Sequence, residues 1–241
     1  MNKDLIKKRF ARKLNFYDDN AKIQKKMAEK LISMLGSLND GINILEIGCG
    51  TGLLTKYVNK TVKFKNYTAL DIVSECEKYI KEINPVVEFI SDDIEEYIKN
   101  SQTYDLIISN ASLQWVENLP EFTDKLVKRL NSNGILLFST FGKENFREIY
   151  FTSGKTLSYL SKKELAAVLK NHKPQIEEEV YVMAFKTPKD VLKHIQNTGV
   201  NALSAESWTK ADLAAFEKEY NIFCANRPTL TYNPIYIKIK K

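Results

Sequence analysis

The run Ile44-Leu45-Glu46-Ile47-Gly48-Cys49-Gly50-Thr51-Gly52 constrains this chain most, because an apolar strand feeds directly into a glycine at every second position. Leu53 then opens a helical pattern. Glycine has no Cβ, so it accepts positive φ and lets a ligand come close to the backbone. The spacing is G-x-G-x-G, which differs from the dinucleotide fingerprint G-x-G-x-x-G, and no Lys-Ser/Thr follows as a phosphate-binding loop requires.

Strand and helix patterns alternate from there. Strands are expected over residues 43–47, 66–70, 86–90, 104–109 and 135–141. Helices are expected over 53–59, after a capping box Ser74-x-x-Glu77, and over 119–130. This rhythm implies βαβ units with a parallel sheet and right-handed crossovers. Two helices should precede it, with apolar stripes Leu5, Ile6, Phe10, Leu14 and then Ile23, Met27, Leu31, Ile32, Leu35. Asn15-Phe16-Tyr17-Asp18-Asp19-Asn20 reads as the polar hinge between them, with N-capping residues for the second helix, which ends at Gly36.

Past Phe141 the rhythm breaks. A capping box Ser161-x-x-Glu164 predicts a helix to about 171, and alternation predicts a strand over 178–185. Thr187-Pro188 opens a helix that Gly199 should stop; another runs over 210–223, and a final strand over 232–239. The expectation is a single domain over 1–241. Residues 1–41 contribute helices to a cap, 42–142 form the ligand-binding core, and 143–241 add cap insertions plus the last two strands.

With 241 residues and 44% hydrophobic content the chain can bury a sizeable core. Its net charge of +6 favours an anionic partner, but the excess is scattered lysine with no arginine-rich tract. Cys49, Cys76 and Cys224 have no paired spacing, as expected for reduced thiols of a cytoplasmic protein. No apolar leader opens the sequence and no run reaches the length of a membrane span, so no membrane association is expected. His172 and His194 show no partner pattern and read as surface residues; no metal site is expected.

Ligands of open α/β sheets bind at the carboxyl ends of strands. Four positions fall there: the glycine turn, Asp71 ending the second strand nineteen residues after Gly52, Asp93 after the third, and Asn110 after the fourth. A carboxylate at Asp71 suits a ribose, whose two hydroxyls it can accept.

The glycine turn resembles motif I of the Rossmann-like class I S-adenosylmethionine-dependent methyltransferases. That resemblance implies an α/β fold, a seven-stranded mostly parallel sheet with helices on both faces and a helical cap. It also implies a site in which Gly48, Cys49, Gly50 and Gly52 cradle the methionine end of the cofactor and Glu46 is aimed at it. Asp71 and Ile72 would then lie at the ribose, Asp93 and the Ile94 N–H at the adenine, and Asn110 beside the methionine moiety, with Gln24 lining the same pocket.

A narrower resemblance covers essentially the whole chain. It rests on Phe16-Tyr17-Asp18 with Gln24, on Ser109-Asn110-Ala111-Ser112-Leu113-Gln114-Trp115, on Phe141-Gly142-x-x-Asn145-Phe146-Arg147-Glu148-Ile149, and on Leu230-Thr231-Tyr232-Asn233-Pro234. Together these are similar to the malonyl-acyl carrier protein O-methyltransferases of biotin synthesis. The family's chemistry would be methyl transfer to the free carboxylate of a malonyl thioester, which is ionised at neutral pH and needs no general base. Arg147 is expected to clamp that carboxylate, since a guanidinium matches its planar fork. Tyr17 is expected to close over the methyl donor and bond the acceptor, with Trp115, Asn145 and Phe146 as acceptor-site walls. An acidic carrier protein would be steered by Lys7, Lys8, Arg9, Arg12, Lys155, Lys162 and Lys163 to a monomeric enzyme. The nearest alternatives are a methyltransferase for a free polycarboxylate such as trans-aconitate, a small-molecule C-methyltransferase, and an inactive cofactor-binding protein. No Asn-Pro-Pro-Tyr-type signature or RNA-binding module supports a nucleic-acid substrate.

Overall fold

The computed structural model describes residues 3–154, 157–198 and 209–241, with the backbone alone for residues 4–6. The chain opens with α1 (Lys3–Ala11), α2 (Leu14–Asn20) and α3 (Lys22–Leu35). The hinge expected over 15–20 is therefore itself a helix. It contains no Gly or Pro, and Asn20 Nδ2 donates to the Phe16 carbonyl at 2.7 Å. Ala21 stands at the start of α3 with no side-chain cap, so the expected capping residue is absent. Met27 and Leu31 of the second stripe are fully buried, and Gly36 ends α3 at φ 75° as expected. The Leu5 and Ile6 side chains of the first stripe lie outside the described residues.

The alternating core follows as β1 (Ile42–Ile47), α4 (Leu53–Thr61), β2 (Phe64–Asp71), α5 (Glu77–Ile83), β3 (Glu88–Ser91), α6 (Ile94–Tyr97), β4 (Tyr104–Ser109), α7 (Leu119–Lys128) and β5 (Leu130–Phe141). Two local expectations need correction. Ser74 bonds Glu75 and Ser74–Cys76 winds as a single 3-10 turn, so no capping box forms with Glu77. The strand expected over 135–141 begins earlier: Leu130 already pairs with Tyr104, and Asn133 at φ 63° marks a register shift inside β5.

The rest comprises α8 (Arg147–Ser153), α9 (Lys162–Val168), β6 (Gln175–Glu178), β7 (Tyr181–Ala184), α10 (Pro188–Asn197), α11 (Lys210–Phe223), β8 (Thr229–Tyr232) and β9 (Pro234–Lys240). Reciprocal capping boxes open α9, α10 and α11, at Ser161/Glu164, Thr187/Asp190 and Thr209/Asp212. Gly199, the expected stop of α10, lies outside the described residues.

The strand expected over 178–185 is the shorter β7, and a separate strand, β6, precedes it and takes in only Glu178 of the expected range. β6 joins the main sheet beside β9, and β7 pairs with β8 in a separate two-stranded ribbon. The final strand divides in the same way between Tyr232 and Pro234. Buried Asn233 sits at both bends: its Nδ2 donates to Glu178 Oε1 at 3.0 Å and to the Glu179 carbonyl at 3.1 Å. Its satisfied amide lets the chain leave one sheet for the other without an unpaired buried polar group.

The seven-stranded sheet has the order β3-β2-β1-β4-β5-β9-β6 and is parallel except for β9. Alternation places Leu106, Ile108 and Leu137 on one face, against Met27 and Leu31 of α3 and Val58 of α4. Ile107, Leu136 and Phe138 face the other way, against Phe122 and Leu126 of α7 and Leu165 of α9. Strands added after β1 run first to one side and then, from β4, to the other. The crevice between β1 and β4 is thus the topological switch point, where such sheets take their ligands.

Candidate active site

A cleft opens at that switch point, walled by the ends of β1, β2 and β3, the loop after β4, and α1 and α2. The glycine turn forms its floor. Gly48 (φ 68°) and Gly50 (φ 54°) both adopt left-handed backbone that other residues resist. A Cβ on Gly48 would lie 2.1 Å from Ser112 Oγ, so that glycine is required by the loop after β4 packing onto the turn. At Gly50 a Cβ would meet only the Phe10 ring of α1, at 3.6 Å. Gly50 is the position where the backbone stays open to the cleft.

Carboxylates surround this floor. Asp71 is buried; its Oδ2 accepts the Gly50 N–H at 2.8 Å and its Oδ1 accepts the Val73 N–H at 2.9 Å. Burial raises its pKa, and the Val73, Gly50 and Ile72 amides oppose that rise. Glu46 is buried too, and its Oε2 accepts both Thr55 Oγ1, at 2.7 Å, and the Tyr67 hydroxyl. Burial pushes its carboxyl up to about 7, against the pull of those two hydrogen bonds. The Cys49 thiol on the same turn is held well above its ordinary value by burial and then by Asp71, so it stays protonated and inert.

At the end of β3, Asp93 caps α6 by accepting the Glu95 N–H at 2.9 Å. Its other oxygen is taken by Lys3, whose Nζ lies 2.6 Å away and also pairs with Glu95. Lys3, Lys7 and Phe10 of α1 thus cover the cleft, a contribution with no motif to announce it. Ile72 and Ile94 line the cleft beside them.

Asn110 lines the cleft as well, but its side chain is committed to the scaffold. Nδ2 donates to the Gln24 carbonyl at 2.9 Å, and Oδ1 accepts Ser139 Oγ at 2.8 Å. Ser139 in turn accepts the Ala111 N–H at 2.9 Å. Gln24 therefore contributes its backbone carbonyl to the site's support. Its side chain is buried, does not line the cleft, and leaves Oε1 without a partner.

Tyr17 lines the cleft from α2, with its ring edge on Phe10 at 5.1 Å. Burial, Asp18 and Asp71 raise its pKa, so its hydroxyl remains a donor. The next residue, Asp18, accepts Thr51 Oγ1 at 2.5 Å and pins α2 to the glycine turn. Thr51 within the turn was the available sequence signal for that tie.

Among the expected acceptor residues only Trp115, with Tyr17, lines this cleft. Phe146 is buried at φ 58°, an unusual conformation for a bulky side chain, with its ring on Tyr232 at 5.0 Å. Asn145 is buried beside it; Oδ1 accepts the Asn233 N–H at 3.3 Å and Nδ2 has no partner. Arg147 opens α8 with its side chain 47% exposed and 3.3 Å from Glu144, outside the cleft. His194 is not the surface residue expected: it is buried, 2.8 Å from the Tyr232 hydroxyl, with its pKa lowered to about 4 by desolvation and then Lys22. His172 pairs instead with Asp124 on the surface, at 2.5 Å.

Among the described residues no group of three or more His, Cys, Asp or Glu could hold a metal ion, and no helix is long and apolar enough to cross a membrane. The cleft's donor set suits a nucleoside joined to an amino acid. It offers the buried Asp71 and the half-buried Asp93 at two successive strand ends, the buried Glu46 beneath the glycine turn, and backbone amides between them.

Comparison with known proteins agrees with that geometry. Residues 20–177 match the model of a methyltransferase domain family. The chain is 37% identical to a malonyl-[acyl-carrier protein] O-methyltransferase of Calditerrivibrio nitroreducens, covering 98% of this chain and 96% of the relative. Proteins of the same name from Chlorobium luteolum and Bacteroides thetaiotaomicron are 34% and 35% identical, covering 99% and 100% of this chain and 95% and 99% of the relatives. Among solved structures, a cyclopropane-fatty-acyl-phospholipid synthase-like protein of Lactobacillus casei shares the fold with a TM-score of 0.58 at 14% identity, covering 95% of this chain and 99% of that one. The N-methyltransferase NodS of Bradyrhizobium japonicum, solved with S-adenosyl-L-homocysteine, superposes with a TM-score of 0.50 at 14% identity, covering 90% and 86%.

Proposed function

Because the chain belongs to the malonyl-[acyl-carrier protein] O-methyltransferase family, we propose that it methylates the free carboxylate of a malonyl thioester carried on an acyl carrier protein, using S-adenosylmethionine. The family name places the product, a malonyl methyl ester, in the opening of biotin synthesis. The observation that carries the proposal for this chain is the acidic, glycine-floored cleft, in which Asp71, Asp93 and Glu46 stand at the ends of β2, β3 and β1.

When bound, the cofactor supplies a methyl group activated by an adjacent sulfonium. Everything else falls to the protein. Asp71 accepts from the ribose hydroxyls with the lone pairs left over from Gly50 and Val73, and Ile72 packs alongside. Asp93 accepts the adenine amino group, and the Ile94 N–H meets the ring. Glu46 receives the α-ammonium group, while the turn Gly48–Gly52 and the loop at Asn110 close around the methionine end. The attacking oxygen belongs to a carboxylate that is ionised at neutral pH, so the chain needs to orient it and exclude water more than to move a proton. Tyr17 donates to that acceptor from the cleft wall, and Trp115 limits the space beside it.

Arg147 is the proposed clamp for the substrate carboxylate, which requires it to exchange Glu144 for the substrate. Asn145 and Phe146 set the position of Arg147 by fixing the turn before α8. The carrier protein is proposed to be acidic and to approach a monomer through the basic residues Lys7, Lys8, Arg9, Arg12, Lys162 and Lys163. Lys155, expected to belong to that set, lies outside the described residues.

Mass spectrometry of a malonyl carrier protein after incubation with enzyme and S-adenosylmethionine tests this assignment. The malonyl group should gain one methylene mass, and alkali should release the transferred methyl group as methanol. An unmodified malonyl group, or a gain without methanol release, is incompatible with it.

A further inference from the structure

Tyr17 reaches the cleft from a helix that has little of its own to hold it. α2 is seven residues long, and Leu14 is the residue it buries deepest. A helix that short is unstable without tertiary contacts. Its first turn is anchored by Leu14 and by the Tyr79 hydroxyl of α5, which donates to Asn15 Oδ1 at 2.9 Å. Its second turn, which carries Tyr17, is held by the Tyr17 ring on Phe10 and by Asp18.

Asp18 does not line the cleft, yet it bonds a residue that does. Thr51, between Gly50 and Gly52, donates its hydroxyl to Asp18 Oδ1 at 2.5 Å, and Lys56 of α4 pairs with Oδ2 at 3.4 Å. Thr51 is buried while the Asp18 side chain is 43% exposed, so Asp18 acts through this bond rather than through packing. A hydroxyl on a carboxylate makes a short, directional, charge-assisted bond, so the place of Thr51 sets the place of Asp18. The backbone of one helical turn passes that setting to Tyr17. The turn that closes on the methionine end of the cofactor thereby also fixes the phenol that faces the acceptor.

Resting on the roles given above to the glycine turn and to Tyr17, we propose that Asp18 is a positioning residue, which through Thr51 couples occupancy of the cofactor turn to the placement of Tyr17. Bound cofactor orders the turn, the turn holds Asp18, and Asp18 holds the second turn of α2 against the cleft. Methyl donor and Tyr17 are then in register before the acceptor carboxylate arrives.

Steady-state kinetics, calorimetric titration with S-adenosylhomocysteine and amide hydrogen exchange across α2 test the coupling. Asp18→Ala, at an exposed position that tolerates truncation, should lower kcat at least tenfold, the contribution of one hydrogen bond to a charged group. Its affinity for S-adenosylhomocysteine should stay within about threefold of wild type, because the carboxylate lies outside the cleft. Asp18→Asn, whose amide oxygen still accepts Thr51, should recover most of the loss. Thr51→Val should match Asp18→Ala, and the two together should lose no more than either alone. In the wild type S-adenosylhomocysteine should slow exchange of the amides of residues 17–20 several-fold; in Asp18→Ala it should bind and slow them little.

Unchanged kcat in Asp18→Ala, no recovery in Asp18→Asn, multiplied losses in the double variant, or equal protection of α2 in wild type and Asp18→Ala overturns the proposal. A cofactor affinity that falls as far as kcat makes Asp18 part of the cofactor site alone and overturns it as well. Protection of α2 that depends on Asp18, in a protein that methylates no malonyl thioester, refutes the acceptor assignment and leaves the coupling standing.

Discussion

The Asp71 carboxylate accepts the Gly50 backbone N–H at 2.8 Å, tying the end of β2 to the open position of the glycine turn. With Val73 on its other oxygen, Asp71 holds the shape of the cleft before any ligand arrives. Asp71→Asn sets an NH2 group against one of two backbone N–H donors. It should cost on the order of 2 kcal/mol in stability as well as abolish cofactor binding. Denaturant titration reads the first effect; a wild-type midpoint would reduce Asp71 to a ligand contact alone.

Glu46 predicts a pH dependence with opposite signs for stability and for binding. Its carboxyl is raised by burial from 4.5 to about 7 in the folded protein. Between those values the fold retains a proton that the unfolded chain has lost, so this group's contribution to stability falls as pH rises through the window. Glu46→Gln should therefore raise the Tm of the ligand-free protein at pH 8 and change it little at pH 5. Affinity for S-adenosylhomocysteine should drop in the wild type as pH falls below about 7, where Glu46 loses the charge that meets the ammonium. A pH-independent difference in Tm between the two proteins would contradict the account.

Lys3 occupies the Asp93 oxygen that the adenine amino group is proposed to use. The pair is partly exposed, with side chains 31% and 22% accessible, so its own contribution to stability is small. Lys3→Met should tighten S-adenosylhomocysteine binding a few-fold and make it less dependent on salt. Weaker binding in that variant would mean that α1 holds the ligand rather than competing with it.

Adjacent residues of one segment should separate cleanly in kinetics. Arg147→Ala should raise the KM for the malonyl substrate at least tenfold, with little effect on cofactor affinity or Tm, and Arg147→Lys should recover only part because the bidentate fork is lost. Glu148→Ala should do the reverse. Glu148 is buried and accepts the Thr231 N–H at 2.9 Å and Thr231 Oγ1 at 2.6 Å, so its loss orphans both donors and costs about 2–4 kcal/mol. Unchanged kinetics in Arg147→Ala would remove the clamp from the mechanism.

That contrast also shows what the sequence could carry. The βα rhythm and the strand-end positions of Asp71 and Asp93 were legible because backbone periodicity and strand polarity dictate them locally. The break after Glu178 that separates β6 from β7 was not. It depends on Asn233, more than fifty residues away, bonding Glu178 and Glu179. The same distance hides the meaning of Gly142, where a Cβ would lie 2.2 Å from Asn233 Oδ1. The segment from Phe141 to Ile149 and the terminal Leu230 to Pro234 are thus partners in one structural junction, and much of their recognisable pattern serves packing. Asn110 gives a parallel case: it sits where a ligand contact was expected, yet both ends of its amide hold Gln24 and Ser139. Lys3, by contrast, reaches Asp93 across ninety residues with no motif around it.

The identity of the methyl acceptor decides what this protein does. Incubation of the protein with methyl-labelled S-adenosylmethionine and, in parallel, malonyl carrier protein, malonyl-coenzyme A, trans-aconitate and RNA measures it directly. Label should appear on the malonyl thioesters alone, as an alkali-labile ester. Label on aconitate or RNA, or on none of the four, would contradict the account.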